Sequence, residues 1–435
     1  MDLNERIESY KEDMIRDLKI LIAHNSVEGT PEEGAPSGKA VAECLDDALK
    51  IAQDLGFAVS NVDGYAGEAS FGDSEDYVAV LGHLDIVPAG SGWSHDPFKG
   101  EIVDGRMYGR GVNDDKGPLI AALYALKALK EEGRELGSTI RIIMGTSEET
   151  GGGDIEHYLK VRGRQPKAGF TPDAFFPAIN AEKGIINVEI SKKLKTGAIE
   201  ILELTGGNAP NMVPDAAGIT YRSGEEEYRI ALKGESAHGS TPEKGVNAIV
   251  KMFPVLGQLD TRLEDDMAFL SEVFTDVNGS GLDIDLADEA SGKLTSCLGL
   301  MRYEDGVLKL TVNLRVPVTY RAADIKDPVR LKLQAAGFQS EFSDFTEPLY
   351  YPEDLPMIQA LMAVYRKVTG DEEAGPMAIG GGTYAKAMDN VVAYGPALPG
   401  REDVDHIADE YIYIDDLMTW TKIYAEAIAA LSRIS

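Results

Sequence analysis

Residues 81–117 read LGHLDIVPAGSGWSHDPFKGEIVDGRMYGRGVNDDKG. The apolar run YVAVL at 77–81 feeds into this stretch, and its continuity predicts a strand buried on both faces. His83 and Asp85 stand at the end of that strand. Positions i and i+2 of an extended chain share a face, so Asp85 is expected to hold the His83 ring and fix its tautomer. The stretch closes on Asn113, Asp114, Asp115, Lys116 and Gly117. Residues 116–132 are rich in Ala and Leu and predict a helix that stops at Gly133. An imidazole therefore leaves a strand while a pair of carboxylates opens a helix.

Outward from this stretch, residues 139–144 form a second buried strand, which ends in GTSEETGGG at 145–153. Helical spacing marks 4–24 and 38–55, and 155–161 reads as a short helix. Strands are expected at 57–62 and 174–179. Alternation of strands with helices argues an α/β sheet with parallel strands. The character changes near Glu182. Strand-like segments fill 185–232 and return at 293–301, 307–316 and 338–345, with helices at 246–259, 262–277 and 324–335. Beyond residue 352 the α/β pattern resumes, with a helix at 355–368, glycines at 380–382, a strand at 391–394 and a last helix at 415–431. One α/β domain built from both ends of the chain, 1–181 and 348–435, is thus interrupted by an α+β insertion, 182–347.

The chain has 435 residues, 43% hydrophobic and 26% charged, as expected for a globular protein of more than one domain. Its 42 basic and 73 acidic residues give a net charge of −31. That balance argues against nucleic acid or an anionic membrane as partner, since both call for a basic face. Two cysteines, Cys44 and Cys297, without a CxxC pair, fit a reducing cytoplasm. No basic segment followed by an apolar one opens the sequence, and no run approaches 18 apolar residues, so neither a signal peptide nor a membrane span is expected.

Taken singly, the polar residues of the loops have ordinary explanations. Asp114 and Asp115 suit an N-cap and the helix dipole, and Glu148-Glu149 suits a solvated turn. However, Glu148 and Glu149 follow a buried strand, at the edge where open α/β sheets place ligands. Asp173, in GFTPDAFFP, and His406, in GREDVDHI, also sit at element ends. Two histidines and three carboxylates suit zinc, with manganese or cobalt as alternatives. Two ions sharing a carboxylate can act on one water, and a spare carboxylate beside a ligand provides the base.

The chain resembles the co-catalytic zinc peptidase superfamily that includes aminoacylase-1, glutamate carboxypeptidase and succinyl-diaminopimelate desuccinylase. It looks closest to the bacterial Xaa-His dipeptidase (carnosinase-like) branch. The motifs GHLDIVP, GWSHDPF, GRMYGRGVNDDKGP, SEETGGG, TPDAFFP, NMVPD, ESAHGSTPEKGVNA, NLRVP, GGTYA and PGREDVDHI carry the likeness over nearly the whole chain. The resemblance implies a catalytic domain from the two outer segments, with the insertion as a lid. It makes His83, Asp114 and Asp173 ligands of one zinc, and Asp114, Glu149 and His406 ligands of a second. Asp114 then bridges, in preference to Asp115, and a cis peptide is expected after it. Asp85 orients His83, and Glu148 is the general base. In the lid, His238 reaches the scissile carbonyl, while Asn211 and Arg315 bind substrate. Gly381, Gly382 and Thr383 face the substrate's C-terminus.

The implied reaction is hydrolysis of a small peptide, a dipeptide, by a monomer, with a homodimer as the alternative. An N-acyl-amino-acid deacylase or desuccinylase, or a carboxypeptidase, would use the same metals. A non-catalytic binding protein on this scaffold would be marked by loss of a ligand or of the base, and none is lost here.

Overall fold

A computed structural model describes residues 1–151 and 153–434, and the chain divides into two compact units. The first comprises Met1–Asn180, Tyr351–Met377 and Thr383–Ser435, and the second Ala181–Tyr350 with Ala378–Gly382. The glycine loop at 380–382, drawn in the outer segment on sequence, groups with the insertion.

The first unit is a mixed sheet between helices. Its strands run in the order Ala58–Val62, Ala66–Phe71, Thr139–Gly145, Tyr77–His83, Ala168–Thr171, Val391–Ala393. Tyr77–His83 is parallel to both of its neighbours, and Val391–Ala393 is parallel to Ala168–Thr171. Antiparallel pairing enters only toward the Ala58–Val62 edge and beyond Val391–Ala393. Every residue of Tyr77–His83 is buried, as a continuous apolar run in a central parallel strand requires. The helix Lys116–Glu132 buries almost its whole surface and packs against Ile414–Leu431. It ends at Gly133 in the left-handed conformation, φ 73°, which glycine adopts without steric penalty.

Two local expectations are corrected. The helix expected at 4–24 is two helices, Leu3–Ser9 and Lys11–Ile22, interrupted at Tyr10, whose phenol reaches Glu131. The strand expected at 174–179 is broken by a cis bond at Phe176-Pro177 into Ala174–Phe175 and Ile179–Glu182. The parallel strand lies earlier, at Ala168–Thr171.

The second unit is a seven-stranded antiparallel sheet in the order Glu226–Lys233, Ala216–Ser223, Glu200–Gly206, Thr295–Glu304, Val307–Val316, Gly184–Lys193, Gln339–Phe342. Ile186, Val188 and Ile190 alternate into a core shared with Met252 and Phe253 of helix Ala248–Leu259 and with Val329 of helix Ala322–Ala335. Among the described residues, no helix is long and apolar enough to cross a membrane.

Candidate metal centre and active site

Three parallel strands end at one edge of the first sheet. Tyr77–His83 ends on His83, which pairs in register with Gly145, the last residue of its neighbour. The turn after Gly145 carries Glu148 and Glu149, and Asp173 lies two residues beyond Ala168–Thr171. Parallel register therefore brings three separate stretches of sequence to one place.

Helix Lys116–Glu132 approaches this edge closely. A side chain at position 82 would strike Asp115 and Leu119, so only glycine fits ahead of His83. Asp115 is turned inward, where its Oδ2 accepts the His83 backbone N–H at 3.2 Å. Lys116 is also buried, and its ammonium donates to the carbonyls of Leu21 and His24, at the end of helix Lys11–Ile22. Of the acidic pair, Asp114 alone faces the ligand cluster, and the Asp114-Asp115 peptide is cis.

Two ligand groups meet at Asp114. His83, Asp114 and Asp173 form one, and Asp114, Glu149 and His406 the other, with ligand atoms in each within 4.8 Å of one another. His83 Nε2 lies 2.8 Å from Asp114 Oδ1 and 3.8 Å from Asp173 Oδ1. His406 Nε2 lies 3.0 Å from Asp114 Oδ2 and 3.2 Å from Glu149 Oε2. Each oxygen of Asp114 thus addresses a different histidine, as a bridging carboxylate does. Imidazole nitrogen with carboxylate oxygen is a donor set that fits divalent zinc, manganese or cobalt.

The charges couple accordingly. Burial opposes charge on the His83 ring, but its bond to Asp114, and then that to Asp173, raise its pKa well above the ordinary value. Burial also works against ionised Asp114, yet the bonds from His406 and His83 hold it well below the usual carboxylate range. Bonds to Asp114 and then Glu149 push His406 up to about 11. Burial pushes Asp173 up to about 6, and burial followed by the charge of Asp173 pushes Glu148 up to about 8. Carboxylates outnumber imidazoles in the cluster, a charge balance suited to binding divalent cations.

Asp85 lies past the end of its strand, so the shared-face argument does not apply to it. The His83 ring meets the Asp85 backbone carbonyl, with Nδ1 at 3.0 Å, while the carboxylate stands 3.4 Å away. That carboxylate chiefly accepts the backbone N–H groups of Glu148 and Glu149, at 3.1 and 3.0 Å. The two preceding amides, of Thr146 and Ser147, donate to Asp154 at 2.6 and 3.0 Å. Four successive N–H groups of the turn are therefore gripped by two carboxylates. Asp154 is in turn bonded by buried Tyr384, at 2.5 Å. Sequence reasoning passed over Asp154 and Tyr384, because an acid opening a helix gives no sign that it faces backward into a turn. Thr383 and Tyr384 line a cavity of about 280 Å³ together with Glu148 and Asp154.

The remaining candidates lie in the second unit. The Gly239 N–H donates to Asn211 O at 2.7 Å, placing Asn211 beside the His238 loop. His238 Nδ1 is 2.7 Å from Ser240 Oγ. Gly380 packs on Ser240, where an added Cβ would come within 2.6 Å of the serine Cβ. Arg315 donates to Gly380 O at 3.0 Å and to Asn313 Oδ1 at 2.7 Å. It is 5% exposed, burial lowers its pKa, and among the described residues it has no carboxylate partner. His238, Arg315 and the loop bearing Gly381 and Gly382 are thus neighbours.

Residues 79–430 match Peptidase family M20/M25/M40, and the chain belongs to that family. It is 38% identical to "Putative dipeptidase YtjP" of Bacillus subtilis (strain 168), over 97% of this chain and 98% of that protein. It is 35% identical to the Beta-Ala-Xaa dipeptidase of Lactobacillus delbrueckii subsp. lactis, over 100% of this chain and 99% of the relative. The fold is similar to human carnosine dipeptidase 1, with a TM-score of 0.64 at 15% identity, covering 99% of this chain and 98% of the other.

Proposed function

We propose that this chain is a di-zinc dipeptidase in which Glu148 is the general base. The observation that carries the reading is the pair of ligand groups joined through opposite oxygens of Asp114. His83, Asp173 and Asp114 would hold one ion, and Asp114, Glu149 and His406 the other, with manganese or cobalt suited to the same donors. Bound there, the ions supply Lewis acidity, lowering the pKa of water toward about 7 and polarising the scissile carbonyl.

Glu148 takes a proton from the attacking water and passes it to the leaving amine. Burial, and then the charge of Asp173, raise Glu148, and cations held by its neighbours would favour the carboxylate form that a base requires. Asp85 fixes the turn from which Glu148 projects. His238 is assigned the developing oxyanion. Arg315, a buried cation without an acidic partner among the described residues, is assigned the substrate's free carboxylate, together with Asn211, Gly381, Gly382 and Thr383. Both cysteines are buried and free, which fits action in the cytoplasm. The working unit is a monomer, with His238 acting in its own chain, and a solution mass of twice the chain's would contradict this.

Relatives named as dipeptidases favour dipeptides over N-acyl amino acids. The test is a metal-reconstituted screen of dipeptides, tripeptides and acetyl and succinyl amino acids, with wild type and Glu148→Ala in parallel. Dipeptides should be cleaved preferentially, and the variant should keep its metal while losing turnover about 10²–10⁴-fold. Preference for acyl substrates would contradict the substrate assignment, and near wild-type turnover by the variant would remove Glu148 as base.

A further inference from the structure

We propose that Arg110 and Glu410 are positioning residues for the half of the site formed by Asp114, Glu149 and His406. The inference rests on the two-metal reading above. Both side chains are fully buried, Arg110 2% and Glu410 0% exposed, and they pair at 2.7 Å. Glu410 Oε2 also accepts the Gly111 N–H at 3.0 Å. Its Oε1 accepts the N–H groups of Asn113 at 2.9 Å and Asp114 at 3.4 Å. One carboxylate therefore gathers the backbone that leads into the bridging aspartate.

Arg110 closes the ring from the other side. Its Nη2 donates to the carbonyl of Ile407, the residue after His406, at 3.2 Å. Trp93 lies over the guanidinium, 5.4 Å from ring centroid to Cζ. Asn113 adds a bond to Asp405, the residue before His406, at 2.8 Å. The Asp114 segment and the His406 segment, 292 residues apart in sequence, are thus fastened ahead of Asp114 and on both sides of His406.

His406 needs such fastening. It lies on a loop, 53% of its side chain is exposed, and its backbone φ is 62°, in the left-handed region disfavoured for a residue with a Cβ. His83 needs none, because its strand is paired on both sides. A buried ion pair is a poor device for stability alone, since desolvation offsets much of its attraction. Its use here is geometric: removing it should loosen the ion beside His406 much more than the one beside His83, which shares only Asp114 with it.

Zinc stoichiometry and affinity of wild type, Glu410→Gln and Arg110→Lys, measured by calorimetric titration and metal analysis after dialysis, test this. Wild type should hold two ions. Glu410→Gln should hold one only slightly more weakly and the other about 10–100-fold more weakly, and should remain folded, with a metal-free thermal midpoint lower by several degrees because Arg110 loses its partner. Arg110→Lys, which keeps the charge but cannot reach both Glu410 and Ile407, should shift the same ion by less. Unchanged affinity for both ions, equal weakening of both, or failure of both variants to fold would overturn the inference. A wild type holding fewer than two ions would overturn the two-metal reading itself.

Discussion

His83 and His406 address the same aspartate from opposite kinds of backbone. His83 is fully buried at the end of a central strand, with its ring set by the Asp85 carbonyl and its own amide held by Asp115. His406 is half exposed, on a loop, at positive φ. The sheet fixes one ligand as a by-product of folding. The other is fixed by polar contacts between its loop and the Asp114 segment. One histidine is thus carried by the core, while the other depends on individual hydrogen bonds.

The sharpest way to break this contrast is Asp114→Ala, which removes the residue both halves share. Zinc content should fall from two ions toward none, and dipeptide turnover should fall below detection. Retention of both ions would show that Asp114 is not the bridge. Next come the histidines. His83→Ala opens a cavity in the interior and should destabilise the metal-free protein by about 2–4 kcal/mol, measured by urea denaturation. His406→Ala opens no interior cavity, so it should cost less than His83→Ala, its effect coming from the lost pairs with Asp114 and Glu149, while still removing one ion. Equal destabilisation by the two would erase the distinction drawn here.

A smaller effect is expected at Asp85. Asp85→Ala leaves the amides of Glu148 and Glu149 without their acceptor, an effect of about 1–3 kcal/mol, so kcat should fall about 10–100-fold. The variant should retain zinc, since the His83 ring is held by the backbone carbonyl rather than by the side chain. Loss of zinc would return Asp85 to the role of ring orienter.

The smallest effect concerns pH. In the metal-free protein, Glu148 titrates near 8 and Asp173 near 6, above their unfolded values. A carboxyl raised on folding favours the folded state while protonated, and that stability is lost as pH rises through the folded pKa. His406, raised to about 11, retains its proton where the unfolded chain has lost one, so its contribution declines in the same direction. Between pH 6 and 9 the thermal midpoint of chelator-treated protein should therefore fall by a few degrees. Restoring zinc should flatten the slope. A midpoint that rises with pH would contradict these assignments.

The sequence was most legible where chemistry and periodicity coincide. Tyr77–His83 and Lys116–Glu132 announce themselves by apolar pattern, and the motifs between them carry the family likeness. The α/β class and the α+β insertion were legible for the same reason. Contacts that depend on backbone direction were not. The turn at 146–149 shows two acids and some small residues, with no sign that Asp85 and Asp154 divide its amides between them. Glu410, four residues after His406, gives no signal, because its partners at 110–114 are brought to it by tertiary structure alone. The break at Phe176-Pro177 was hidden by the apolar residues around it, which read as one strand.

Anomalous scattering at the zinc edge from crystals of the metal-loaded protein is the most direct test of the account. It should show two peaks about 3.5–4 Å apart, one beside His83 and Asp173, the other beside Glu149 and His406, with Asp114 between them. A single peak, or two peaks that do not share Asp114, would contradict it.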